Sequence, residues 1–231
     1  MQTTLIALAL IAGSGSFDSQ SGFDSLPEAA SAVAPTLQTG SLIFSEGDCL
    51  AVRVFTASPY THVATVVACD GDECWVYDST NGVGVRRLTL EQYLLKQAPA
   101  QIHVHHPRRP FSADEARSFD AYLKSQLGRP YAIRHHVTGE RCEGVHCAEY
   151  VTDALMSIER IDARRPPRVS PASLREGVTA HGVYDQGLSV QLERPAPTAD
   201  PASNCCEQLW IDTRSCCRNC CRKLQGWILC Q

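Results

Sequence analysis

The chain reads His62-Val-Ala-Thr-Val-Val-Ala-Cys69, then Asp70-Gly71-Asp72, then Cys74-Trp-Val-Tyr-Asp78. The first segment is an apolar, partly β-branched run of strand length. The Asp-Gly-Asp triplet supplies a turn and the second segment returns as a partner strand, so the whole is a β-hairpin. In a hairpin turning at residues 70–72, positions 62 and 78 lie roughly opposite each other. Cross-strand neighbours on one face come within side-chain reach, so a histidine and an aspartate are expected side by side at the open end.

Outward from this hairpin, Ser41-Leu-Ile-Phe44, Gly84–Leu88 and Gln101–His105 read as further strands. Thr89, with Gln92 at the reciprocal capping position, opens a short helix through Lys96. Ser112 and Glu115 form a second capping box. Ala116, Phe119, Tyr122, Leu123 and Leu127 line its apolar face, and Gly128 and Pro130 end it. Ala148, Val151, Leu155 and Ile158 recur at helical spacing and mark a core-facing helix starting at about Cys147. Ser170–Gly187 is expected to lie back on the domain as a short helix and turn. The order of elements is an α+β plan, an antiparallel sheet packed on helices.

Residues 1–38 are expected to form a signal segment and linker, which would send the chain to the cell envelope or beyond. Thr4–Ala12 is a short apolar run and Ala32-Val33-Ala34 has the small-x-small form of a cleavage site, although no Lys or Arg precedes Arg53. The packed domain is expected at 39–188, a Pro/Ala-rich linker at 189–204 and a Cys-rich tail at 205–231. Among the 231 residues, 44% are hydrophobic and 20% charged, enough to bury a sizeable core and against wholesale disorder. A net charge of −4 argues against nucleic acid as the main partner. No run approaches the roughly 20 apolar residues that span a bilayer.

The chemistry centres on Cys147, which stands at the first turn of an amphipathic helix after a glycine-containing loop. Backbone N–H groups and the positive dipole end lower a thiol's pKa there, and the same N–H groups can donate to an oxyanion. A nucleophilic thiol needs a base, and the base an orienting partner. His62, opening one hairpin strand, and Asp78, closing the other, supply that pair. Plainer readings compete: a small buried hydrophobe at Cys147, a solvated ring at His62, turn chemistry at Asp78.

Four ordered blocks add to this: Gly40-Ser-Leu-Ile-Phe44, Ser58-Pro-Tyr-Thr-His-Val-Ala-Thr-Val-Val67, Gly128-Arg-Pro-Tyr131 and His146-Cys-Ala-Glu-Tyr-Val151. They resemble the blocks of the YiiX-like permuted papain-fold amidases of the NlpC-type cysteine peptidase superfamily. Those typically read G-D-L-I-F, S-P-Y-S-H-V-G-I-V, G-x-P-Y-D and Y-C-S-E-L-V. Ser170-Pro171-Ala-Ser-Leu174 is similar to the trailing T-P-x-x-L block, so the similarity runs from Gly40 to Leu174. It implies a circularly permuted papain-like (NlpC-type) fold in which His62 is the base, Cys147 the nucleophile and Asp78 the acidic third member. Ser41, Ala132 and Ala148 depart from the pattern, in place of Asp, Asp and Ser. The implied activity is a cysteine-dependent hydrolase or acyltransferase cleaving an amide or ester through a thioester, with no cofactor for catalysis. The substrate class implied is a small peptidoglycan-type peptide or a lipid. Tyr60, near His62, is a candidate substrate or oxyanion contact with an equally good structural reading. Glu149, two residues along the helix, is expected to point away from Cys147 and is assigned no catalytic role.

Other constellations are open. Cys142, His146 and Cys147, with His135 and His136 upstream, have donors that suit zinc but no strong C-x2-C spacing. Of His103, His105 and His106, strand geometry lets at most two share a metal. The tail cysteines Cys205, Cys206, Cys216, Cys217, Cys220 and Cys221 fit structural zinc, disulfides, or S-acylation. In the last case Arg218, Arg222, Lys223 and Trp227-Ile-Leu229 would make a peripheral membrane contact. A non-catalytic binding module of the same fold, with a zinc-binding or membrane-associating tail, is the alternative from a different class.

Overall fold

The computed structural model describes residues 20–23, 25–47, 53, 57–68, 74–192 and 213. The expected hairpin strands are β3 (Tyr60–Ala68) and β4 (Cys74–Thr80), while the turn between them lies outside the described residues. They sit in a sheet with β1 (Gln20–Phe23), β2 (Leu42–Glu46), β5 (Gly84–Thr89), β6 (Gln101–Pro107) and β7 (Tyr184–Leu192), in the spatial order β1-β7-β6-β2-β3-β4-β5. Neighbours pair antiparallel except the edge pair β1 and β7, which is parallel.

Helices cover both faces. On one, α1 (Leu26–Val33) and α2 (Leu90–Gln97) bury Ala29, Val33, Tyr93 and Leu94 against Ile43, Ala64, Val66, Val76 and Val104. On the other, α3 (Ala113–Ser125), α5 (Cys147–Met156) and α6 (Pro171–Ala180) pack Phe119, Leu123, Val151, Leu155, Leu174 and Val178 on Leu42, Phe44, Val63 and Tyr77. The short α4 (Arg134–Thr138) lies in the segment leading to α5. Strand alternation produces this division: Val63 and Tyr77 face one layer, Ala64 and Val76 the other. Both capping boxes read from the sequence form, Thr89 with Gln92 and Ser112 with Glu115.

Three expectations change. The stretch 20–38 is part of the packed domain rather than a linker, because β1 pairs with β7 and α1 buries Ala29 and Val33 completely. Ala32 and Val33 are thus the last residues of α1, Val33 buried and Ala32 exposed, and Ala34 starts a 3-10 turn. The domain also does not end at 188. β7 runs through Leu192 and lies between β1 and β6, inside the sheet. Finally, Leu127 does not join the buried face of α3: the helix ends at Ser125 and Leu127 is 42% exposed. The apolar run 4–12, residues 193–204 and the tail cysteines lie outside the described residues. Among the described residues, no helix is long and apolar enough to cross a membrane.

Candidate active site

The β3–β4 ladder pairs Ala68 with Cys74 and ends at Thr65 with Tyr77. That register sets residue 64, not 62, opposite 78, so His62 and Asp78 are diagonal neighbours on one face, just beyond the last ladder pair. On its other side β3 bulges against β2: His62 pairs with Ser45, while Glu46 pairs with Tyr60. A bulge re-aims side chains at a strand end. His62 Nε2 lies 3.0 Å from Asp78 Oδ2.

Asp78 is wholly buried and amply supplied with donors. Arg86, directly opposite on β5, donates Nε to Oδ1 at 2.8 Å and Nη2 to Oδ2 at 3.1 Å. Gln97, the last residue of α2, donates Nε2 to Oδ2 at 2.8 Å. Burial favours the neutral acid, but the His62 and Arg86 bonds outweigh it and hold the carboxyl down at about 2. An ionised Asp78 requires His62 Nε2 to carry the hydrogen, which leaves Nδ1 as the nitrogen available to the thiol. The ring stacks on Tyr93, 6.2 Å between centroids at 30°, and the Tyr93 hydroxyl meets Ser45 Oγ at 3.0 Å.

Cys147 occupies the first position of α5. The segment before it is tied down from outside. Ser79 Oγ donates to the Val145 carbonyl at 2.7 Å, and Val145 N–H donates to the Pro130 carbonyl at 2.9 Å. Arg129 Nε donates to the Glu143 carbonyl at 2.6 Å, and its Nη2 reaches the Cys142 and Gly144 carbonyls, each at 3.2 Å. Ser79 neighbours Asp78 on β4, so the strand that positions the carboxylate also seats the helix. Cys147 is 5% exposed and lies beside the His62 and the His146 rings. Burial pushes its pKa up, but the charge on His62 and the two ring contacts win and bring it down to about 6. Burial likewise disfavours a charged His62. The Cys147 thiolate and the bond to Asp78 overcome that and raise it to about 9. The Cys147 and Ala148 N–H groups, in the first turn of α5, have no intrahelical acceptor and can receive an anion, while the Glu149 N–H is taken by His146 Nδ1.

His62, Asp78 and Cys147 thus come together. The Tyr60 ring packs edge-on against Phe44 and His103, with the Arg175 guanidinium 4.7 Å above it. Tyr131, from the Gly128–Tyr131 block, lies near the thiol. Burial, then the charge of Cys147, disfavours ionisation of its hydroxyl. Arg86, Gln97 and Tyr93 were not singled out in the sequence. A signal existed for Arg86, since the Asn81-Gly82 turn sets it across from Asp78. None existed for Gln97 or Tyr93, which arrive from a separate helix.

Among the described residues, no three His, Cys, Asp or Glu side chains converge as a metal ion would require. Cys142 is exposed. His103 bonds Ser189 and Glu46, His105 accepts from Arg175, and His106 meets Ser41. The three rings therefore have separate partners. The side chain of His135 lies outside the described residues.

A sheet between helices, with the histidine strand ahead of the cysteine helix in the chain, is the permuted papain-like arrangement. The model of the Peptidase_C92 family, the permuted papain-like amidase enzymes YaeF/YiiX, matches residues 36–186, well over half of the chain, and the chain belongs to this family. Membership places it among amidases, a class of hydrolases. Among solved structures it is similar to the crystal structure of metalloprotein yiiX from Escherichia coli O157:H7. The two are 18% identical, with 67% of this chain and 88% of that chain covered and a TM-score of 0.45. No curated protein matches the chain.

Proposed function

We propose that the protein is a cysteine-dependent amide or ester hydrolase using Cys147 as nucleophile, His62 as general base and acid, and Asp78 to orient His62. The observation that carries this reading is the buried Cys147 thiol, at the start of α5, beside a His62 ring whose Nε2 lies 3.0 Å from the ionised Asp78. His62 Nδ1 takes the thiol proton, and the thiolate attacks the carbonyl carbon. The oxyanion forms against the Cys147 N–H at the start of α5. His62 returns its proton to the leaving amine or alcohol, leaving a thioester on Cys147. Water, deprotonated by His62, then releases the acid; a second nucleophile in its place makes the reaction an acyl transfer. A small peptidoglycan-type peptide or a lipid is the substrate class we propose.

Acyl-amide and acyl-ester activity probes, applied to wild type and Cys147→Ala, test this. Labelling of the wild type alone is expected, with strong loss in His62→Ala. Equal labelling of wild type and Cys147→Ala sinks the enzyme reading and favours a binding module.

A further inference from the structure

Two histidines act on Cys147: His62, and His146, the preceding residue, whose ring caps the first turn of α5. His62 brings the carboxylate network described above. His146 is the chain neighbour of Cys147 and the N-cap of α5, and its partners define its tautomer. Nδ1 accepts the Glu149 backbone N–H at 3.3 Å and so carries a lone pair. Nε2 lies 2.9 Å from the Pro167 carbonyl oxygen and so carries the hydrogen. The ring is 4% exposed. Charged and titratable groups surround it on several elements. From α5 come Cys147 and the buried Glu149, whose Oε2 is 3.9 Å from Nε2. From α4 comes His136, edge-on at 5.7 Å between centroids, itself under the charge of Arg168. From the segment before α5, Arg141 reaches Glu149 at 3.5 Å and forks on to Asp153.

Building on the hydrolase reading, we propose that His146 is a second positioning residue of Cys147: its neutral form caps α5 and pins the first turn to Pro167, and protonation at Nδ1 releases the cap and turns a charged N–H on to the thiolate. The cap and the sulfur compete for one nitrogen, since a protonated Nδ1 has no lone pair for the Glu149 N–H. Ser, Thr, Asp or Asn would serve a cap alone. Histidine adds the reach to Pro167 and a proton exchanged near neutral pH. The tyrosine that the family pattern usually carries at this place does not titrate in that range.

The test uses the full chain with His146→Asn and His146→Gln. Asn keeps an acceptor for the Glu149 N–H but neither reaches Pro167 nor takes up a proton. Gln has the length for Pro167 and also does not titrate. Iodoacetamide modification of Cys147 is followed on its peptide by mass spectrometry between about pH 5 and about pH 9, bracketing ordinary His and Cys titration. In both variants the midpoint of the reactivity profile is expected to rise by at least roughly half a pH unit, as removal of a thiolate partner requires. Hydrolytic kcat is expected to fall by roughly tenfold with KM unchanged, as for lost alignment of a reacting group. If one variant fails to fold, the other carries the readout. Wild-type midpoint and kcat in a folded variant overturn the proposal and make His146 a helix cap only. The hydrolase reading fails separately if wild-type Cys147 reacts no faster than exposed Cys142, or if His62→Ala leaves its rate unchanged.

Discussion

At Asp78 three side chains, from β3, β5 and the end of α2, converge on one carboxylate with no exposed surface. Asp78→Asn keeps the volume but removes the charge that selects the His62 tautomer, and it leaves the Arg86 guanidinium without its counter-ion. We expect kcat/KM to fall by roughly 10²- to 10⁴-fold while KM moves little, measured by steady-state kinetics. The pH profile of kcat/KM should be a bell. It rises as the thiol loses its proton around the value of about 6 and falls as His62 loses its own around the value of about 9. A profile still climbing well above pH 9 would mean that no thiolate–imidazolium pair operates. Stability carries its own signature. The folded-state pKa of Asp78, about 2, lies below that of an ordinary aspartate, so its contribution is complete above the unfolded value. It is lost as pH falls through about 2. This depression corresponds to about 2 kcal/mol. Denaturant melts of wild type and Asp78→Asn should therefore differ near neutral pH and converge in strong acid.

At the level of elements, α5 is seated by β4 and by the segment that ends α3. Ser79→Ala removes the buried bond to the Val145 carbonyl and should cost about 1–3 kcal/mol in a denaturant melt, as for an orphaned buried acceptor. Because the helix start shifts with it, kcat should fall as well. Gly84 opens β5 at φ +87°, and a methyl group there would run into the Arg129 carbonyl oxygen, itself bonded to the Val85 N–H. Gly84→Ala should lower the melting temperature by several degrees, because both the backbone conformation and the space exclude a side chain. The start of α5 at Cys147 and the two capping boxes were readable in the sequence, because caps and helical periodicity are local signals. The end of α3 was not: the apolar pattern ran on to Leu127, while the backbone turned away after Ser125.

In the whole molecule the layer formed by β1 and α1 decides how much of the chain the fold needs. Val33 is fully buried among Ile43, Ala64 and Leu94 on that face. Val33→Asp would place a carboxylate in an apolar cluster and should destabilise the protein by several kcal/mol, read as a large drop in thermal midpoint. If 1–38 were a dispensable leader, the same substitution would leave the melt unchanged. β7 makes the same point from the other end of the domain. Its sequence, Tyr184–Leu192, alternates weakly and contains Gly187, so it carries little strand signal by itself. It becomes an interior strand because β1 and β6 pair with it on either side.

Sequence alone determined the hairpin, the helix start at Cys147, the caps, and through four ordered blocks the family to which the chain belongs. These are properties of neighbours in the chain, and periodicity, turn chemistry and motif order record them. Tertiary structure alone decided that Gln97 joins the Asp78 network and that Tyr93 backs the His62 ring. It also decided that His62 and Asp78 meet diagonally where their strands part. Those contacts join residues far apart in the chain across one sheet. Their partners are set by strand register and helix docking, which no local pattern encodes.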